Sequence, residues 1–452
     1  MSNSKLNVCL LNDSFPPVID GVANVVCNYA KELTEKGVKV TVATPKYPGI
    51  SNDYPFEILE YPSLNTVSTV GYVTGVPFSA KYVSQFVDRK IDILHTHCPM
   101  TSCMLSRIIR DNIDKPIIMT YHTKYDIDVA RTIKSKGLQR LSIKAIVEDI
   151  SACDEVWAVS DGAADNLRSL GYKGDIVIMR NGVDMPKGKS SPEEIKKIRE
   201  EYGLKGDKPI FLFAGRMMWY KGIRIILDAL KILKDHNFPY QMLFVGGGLE
   251  FNEIKEYSEK LGLDDVIFAG PVKDRNKLKQ IFSSCDLFLF PSTFDTCALV
   301  VREAASSGLG SVLIKGSCSA EGTTDMKNAI LIDENAKSLA NTLMNGNVDL
   351  YHRIGEKAMD DLYLSWADAT DIAYKRYEYV LEHYKPKKRS FKPNEELFRV
   401  VAHNSMLQHK LNELEEDALM SGKRDLERMR MENELIEEKL KNSMKRFPKL
   451  FK

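Results

Sequence analysis

Short apolar runs of four to six residues recur along the first part of the chain, at 7–11, 38–43, 91–94, 117–121 and 155–160. Between them lie helix-length segments whose apolar positions fall three and four residues apart, the spacing of one buried helix face. Strands of this length alternating with amphipathic helices predict a parallel sheet covered on both faces. A polar stretch rich in Lys and Glu follows Asn181-Gly182-Val183-Asp184 and ends near Lys208. The alternation then starts afresh at 210–214 and continues through 242–245, 266–269, 287–290 and 311–314, with Gly246-Gly247-Gly248 as a turn into a helix.

The pattern predicts an α/β chain of two Rossmann-like domains, 1–180 and 181–365. From Trp366 onward the periodicity is helical, with Tyr374, Tyr377, Val380 and Leu381 on one face, so 366–390 is expected to pack back on the first domain. Lys385-Pro386-Lys387 breaks that helix. Residues 391–452 form a charged helical tail with two seams, Leu407, Leu411, Leu414 and Leu426, Met429, Ile436, Leu440, each too short for a coiled coil. Self-association is the role such seams would serve.

Length and composition narrow the picture. At 452 residues the chain exceeds the ~250–300 residues at which single cores stop growing. Lys and Arg number 63 against 62 Asp and Glu, a net charge of +1, so no global field attracts nucleic acid. The polar first residues lack a leader pattern, and no apolar run approaches the ~20 residues that cross a bilayer. A cytoplasmic protein is expected. The eight cysteines show no CxxC pair and no zinc spacing, and read as reduced core thiols.

Candidate chemistry gathers where strands give way to helices, the edge at which open α/β sheets bind ligands. The loop 12–22 joins the first strand to the first helix and carries Gly21. It lacks the GxGxxG of simple dinucleotide binders. Residues 214–222, AGRMMWYKG, bring Arg216 and Lys221 to one rim, and two cations there suit a diphosphate. After 287–290 the loop runs through Asp295 into a helix containing Glu303. That pair either brackets an extended ligand or, in the bland reading, is a helix cap and a paired buried charge. His95, His97 and His122 face the same edge of the first sheet. Without a carboxylate at zinc spacing they suit hydrogen bonding to a sugar or phosphate better than metal coordination.

In chain order the sequence shows FPP-x3-G at 15–21, TYHT at 120–123, AVS at 158–160, NGVD at 181–184, AGR-x4-KG at 214–222, VGGG at 245–248, FAGPV at 268–272 and PS-x2-D-x7-EA at 291–304. This series resembles the retaining nucleotide-sugar glycosyltransferases of family 4, over roughly residues 5–385. The resemblance implies the GT-B fold, two Rossmann-like domains facing across a cleft with a hinge near 181–184 and 365. By position it implies that Arg216 and Lys221 bind the donor diphosphate, Glu303 the ribose hydroxyls, and Gly21 the phosphate side. Val272 and Lys273 would flank the base, and the helix amides around Ala298, Leu299 and Val300 would add to the diphosphate site. Asp295, beside the hydroxyls of the transferred sugar, and His122, near its primary hydroxyl or the leaving phosphate, become the catalytic positions. Front-face attack with retention would proceed without metal or cofactor, a UDP-sugar being the commonest donor.

Two departures stand out. Most relatives carry Glu, then Phe-Gly, where this chain has Asp295 and Cys297-Ala298, so its carboxylate is one methylene shorter. Met326-Lys327-Asn328-Ala329 replaces a Gly-rich loop, while Glu321 keeps its position. The TYHTKY segment at 120–125 is similar to that of diacylglycerol glucosyltransferases, implying a lipid acceptor at the inner face of the cell membrane. Arg131, Lys134, Lys136, Arg140 and Lys144, with the basic 385–392 and 445–452, suit an anionic surface. A soluble or polysaccharide-precursor glycan is the other acceptor class, and a catalytically degenerate scaffold the other class of function.

Overall fold

The computed structural model describes residues 6–386 except 19, 52, 67–72, 79 and 296–297. The tail 391–452, its expected self-association, most of the basic run 385–392 and Cys297 therefore lie outside the described residues. The chain forms two compact units. Of the described residues, the first holds those up to 158, 166–177 and those from 370; the second holds those in 159–165 and 178–369.

In the first unit β1 (Asn7–Leu11), β2 (Lys39–Pro45) and β3 (Glu57–Tyr61) are followed by a small antiparallel pair, β4 (Ser63–Leu64) and β5 (Thr74–Gly75). Next come β6 (Ile93–Thr96), β7 (Ile117–Tyr121), β8 (Glu155–Ala158) and β9 (Val177–Ile178). The main sheet runs β3-β2-β1-β6-β7-β8-β9 and its order reverses between β1 and β6. Strands β1 and β7 are buried at every position, the signature of a sheet covered on both faces. Strand β6 begins two residues later than the hydrophobic run implied. The Asp92 amide donates to the Asn7 carbonyl at 2.8 Å, and the Asp92 carboxylate accepts from the Asn7 amide at 3.0 Å, so 91–92 stay outside the strand. His95 thus belongs to the strand.

The second unit repeats the plan with β10 (Ile210–Ala214), β11 (Gln241–Val245), β12 (Val266–Gly270), β13 (Leu287–Phe290), β14 (Ser311–Ile314) and β15 (Ile330–Ile332). Their order is β12-β11-β10-β13-β14-β15, every pair is parallel, and the reversal lies between β10 and β13. Phe213, Phe244 and Phe290 fill the core, with Phe213 and Phe290 stacked at 6.1 Å. Burying such a side chain contributes about 1.5–3 kcal/mol. Strands entering and leaving this unit run together, for the Val183 amide donates to the Leu364 carbonyl at 2.9 Å and Val183 bridges Ser365.

The last described helix, Trp366–His383, buries Ala369, Ala373, Tyr377 and Val380, a stripe at helical spacing. In the first unit Tyr377 stacks on Trp157 at 5.5 Å and its hydroxyl bonds His95 Nδ1 at 2.6 Å. Arg376 grips Glu155 with two bonds of 2.8 and 2.7 Å, the bidentate geometry that makes such pairs strong. Among the described residues no helix is long and apolar enough to cross a membrane.

Candidate functional site

Each sheet presents its order reversal to two loops, and the two reversals differ in charge. In the first unit Asp20 caps the helix Gly21–Glu35, accepting from the Ala23 amide. That helix starts two residues before the apolar pattern does, because this cap completes its first turn. Asp13, in the same loop, reaches across to the helix Thr101–Ile113. There it accepts from the Thr101 amide at 3.1 Å, the Thr101 hydroxyl at 2.7 Å and the Ser102 amide at 2.7 Å. Both helix N-termini at this reversal are already served by carboxylates of the chain. Gly21 is exposed, and a Cβ there would meet nothing within 4 Å.

The three histidines of this edge do not act alike. His95 uses both ring nitrogens within the protein, Nδ1 with Tyr377 and Nε2 with Thr120 at 2.7 Å. It has no capacity left for a ligand, which corrects the expectation that all three face one. His97 Nδ1 and His122 Nε2 lie 3.0 Å apart in stacked rings. Burial drives His122 down to about 3 and lowers His95 and His97 as well, so the trio is neutral at physiological pH. Neutral imidazoles donate and accept hydrogen bonds but supply no positive charge to a phosphate.

The second unit differs. Loop 215–222 is pinned to the glycine turn after β11 by bonds from Gly215 N to Val245 O and from Met217 N to Gly247 O, each 3.0 Å. A Cβ on Gly246 would lie 1.8 Å from the Gly215 carbonyl oxygen, and one on Gly222 2.0 Å from that of Pro291. Both glycines also have positive φ, 143° and 77°. Only glycine permits these loops to close on one another.

Across the reversal Lys221, buried in the short helix Trp219–Lys221, forms an ion pair with Asp295, whose other oxygen accepts from the Ser292 hydroxyl at 2.7 Å. Tyr220 and Phe294 touch beside it, ring centroids 4.5 Å apart. Asp295 is therefore not a helix cap. The helix Leu299–Ser306 begins behind Ala298 with no side-chain cap among the described residues, and the helix Ile223–Asp235 behind Gly222 likewise. Arg216 is exposed and makes no hydrogen bond or ion pair with the described residues.

Glu303, deep in the site, receives Arg275 on Oε1 at 2.6 Å, and the same guanidinium pairs with Asp184. Burial raises the Glu303 carboxyl, and Arg275 opposes that shift. Val272, half-buried, and exposed Lys273 follow β12 and precede Asp274, which caps the helix Arg275–Ser284. Ala298 is buried, Leu299 and Val300 half-buried. The Glu321 carboxylate accepts from Asp161 N at 2.7 Å and pairs with Arg180 at 3.0 Å. Among the described residues no three His, Cys, Asp or Glu are grouped to hold a metal ion.

Of the residues singled out in the sequence, the second unit brings Arg216, Lys221, Asp295 and the start of the Leu299–Ser306 helix to one edge, with Glu303 in that helix. Arg275 escaped sequence reading. It stands first in its helix, where a cation opposes the helix dipole, and that misfit was the available signal for an acidic partner.

Comparison with known proteins matches both halves. The family described as Glycosyltransferase Family 4 covers residues 19–186, and Glycosyl transferases group 1 covers 194–361. An alpha-monoglucosyldiacylglycerol synthase of Streptococcus pneumoniae is 22% identical over 315 residues, 67% of this chain and 70% of that protein. A GDP-mannose-dependent alpha-mannosyltransferase of Corynebacterium glutamicum is 26% identical over 314 residues, 68% and 72% of the two chains. In structure the chain is similar to Anabaena HepE in complex with UDP and glucose, with TM-score 0.66, 18% identity, and 82% and 99% of the chains covered.

Proposed function

Since this chain belongs to the group 1 and family 4 glycosyltransferases of GT-B fold, which transfer a sugar from a nucleotide sugar, we propose that it is a retaining, metal-independent hexosyltransferase whose UDP-sugar donor is held by the second unit. The observation that carries this is the pair of helix N-termini that, among the described residues, have no side-chain cap, beside an Arg216 that has no partner among them, at the β10/β13 reversal. Partial positive charge from the amides and a guanidinium without an internal anion together make a diphosphate site. The Anabaena HepE complex, with UDP and glucose, supports a uridine donor.

In this reading Arg216 and Lys221 take the diphosphate with the amides at Ala298, Leu299 and Val300, Glu303 takes the ribose, and Val272 and Lys273 flank the base. The incoming diphosphate competes with Asp295 for Lys221. Asp295, freed on one oxygen and still held by Ser292, then accepts from a hydroxyl of the sugar. As the glycosidic bond to the diphosphate breaks, negative charge grows on the leaving oxygens, where Arg216, Lys221 and the helix amides stabilise it. The acceptor oxygen bonds the anomeric carbon on the face the diphosphate leaves, and a donor phosphate oxygen takes the acceptor proton, so no protein nucleophile or metal is required. Within the first unit, Gly21 has open space around it, and His122, being neutral, offers a hydrogen bond rather than charge.

For the acceptor we propose a membrane lipid such as diacylglycerol, the enzyme working peripherally at the inner face of the cell membrane. Leu138 and Leu141 are 56% and 63% exposed on the helix Lys136–Ser151, which also carries exposed Lys136, Arg140 and Lys144. Exposed leucines flanked by cations fit an anionic bilayer surface. The name of the Streptococcus pneumoniae relative supports this choice.

Calorimetric titration with UDP, GDP, UDP-glucose, UDP-N-acetylglucosamine and GDP-mannose, without metal and then with magnesium, tests the donor reading. Metal-independent micromolar binding of a uridine nucleotide, lost in Arg216→Ala, is the expected result. Binding that requires magnesium, or none at all, would refute it.

A further inference from the structure

Glu303 lies between two demands. Burial favours its protonated form, whereas accepting hydrogen bonds from two ribose hydroxyls is the work of a carboxylate. Arg275 opposes the first and serves the second, from a helix Glu303 does not share. Its guanidinium holds Oε1 at 2.6 Å, while Oε2 has no partner among the described residues. Asp184, next to the Val183 bridge, takes the same guanidinium nitrogen, so the arginine is anchored by a second carboxylate. The Arg275 Nε is buried without a hydrogen-bond partner. An arginine placed first in a helix, against the helix dipole, with a buried unsatisfied nitrogen, is not there for the stability of its own helix.

We infer that Arg275, anchored by Asp184, is a positioning residue that keeps Glu303 ionised and aimed with Oε2 free, and so confers selectivity for a ribonucleotide over a 2′-deoxyribonucleotide donor. The inference rests on the proposed role of Glu303. Asp184, Arg275 and Glu303 lie far apart in sequence yet form one charged chain within a single unit. Arg275 makes its ion pairs with two carboxylates of the chain, Asp184 and Glu303. Its influence passes entirely through the carboxylate of Glu303.

The test is titration of the full chain with UDP and 2′-deoxy-UDP, and with GDP and 2′-deoxy-GDP, for wild type, Arg275→Ala, Arg275→Lys and Glu303→Ala, each checked by thermal melting. Wild type should prefer the ribonucleotide about tenfold, the scale of a hydrogen bond to a charged group. Arg275→Ala should reduce that preference to about twofold, as Glu303→Ala does, while Arg275→Lys, which retains a cation, should recover part of it. A merely structural arginine would weaken both nucleotides equally and leave their ratio unchanged, and that result overturns the inference. If Glu303→Ala lowers the ratio but Arg275→Ala does not, only the positioning role falls. If neither variant changes it, or wild type binds no nucleotide, the reading of Glu303 falls too.

Discussion

The two sheets of this protein are built on one plan and charged in opposite ways at the same topological point. In the first, Asp13 and Asp20 occupy the helix N-termini beside the reversal of strand order, and the nearby histidines are neutral. In the second, the matching helices are left uncapped among the described residues, and Arg216 stands without an anion. A Rossmann-like edge is thus not an anion site by virtue of its fold. It becomes one only where the chain withholds its own carboxylates.

The comparison can be broken most severely through glycine. Gly246→Ala should cost about 3 kcal/mol or more, since its Cβ would overlap the Gly215 carbonyl at a positive φ. Gly21→Ala, facing open space, should leave the melting temperature unchanged. A soluble Gly246→Ala protein melting with wild type would contradict the close packing of these loops.

Next in size, Asp295→Ala and His122→Ala should each lower kcat about 100-fold or more while nucleotide affinity stays within about threefold. Unchanged turnover in steady-state assays would remove them from the site. Arg216→Ala should weaken nucleotide binding about 10- to 100-fold, the range for hydrogen bonds to charged groups. Equal weakening by substitution of a cation on the first unit's surface would erase the contrast between the sheets.

A smaller effect follows from the neutral histidines. His122 titrates at about 3 when folded against about 6.5 unfolded, and His95 and His97 shift the same way. The unfolded chain therefore binds more protons, and stability is lost as pH falls below about 6.5 toward 3. His122 contributes at most about 1.4 kcal/mol per pH unit in that window, and His95 and His97 act in the same direction. Melting curves between pH 7 and 5 should show it, and His95→Gln should flatten the slope. Smallest of all, Asp13→Ala should cost about 1 kcal/mol through the lost cap and leave nucleotide affinity untouched.

Much of this architecture was legible in the sequence, because apolar runs and the loops ending them are local features. Five strands of each main sheet, the cations Arg216 and Lys221 at one rim, and the membership in family 4 followed from such patterns and motifs, whereas the edge strands β3, β9 and β15 did not. Pairings were not legible. Lys221 meets Asp295 from 74 residues away, and Arg275 meets Glu303 from 28. No periodicity encodes which loop another loop will face. His95 was misjudged for the same reason, since its second partner, Tyr377, is 282 residues distant. The start of β6 was misplaced because Asp92 obeys a backbone partner, Asn7, rather than its own hydrophobic neighbours.

That bond between His95 and Tyr377 also orders events at the ribosome. A chain synthesised from its N-terminus usually completes its first domain first. Here the first unit lacks the ring that covers Trp157 and the arginine that pairs with Glu155 until residues 376 and 377 have emerged. By then every residue of the second unit has been made. The unit that begins the chain is the last to be finished, and throughout translation its exposed edge awaits a helix encoded near the other end of the message.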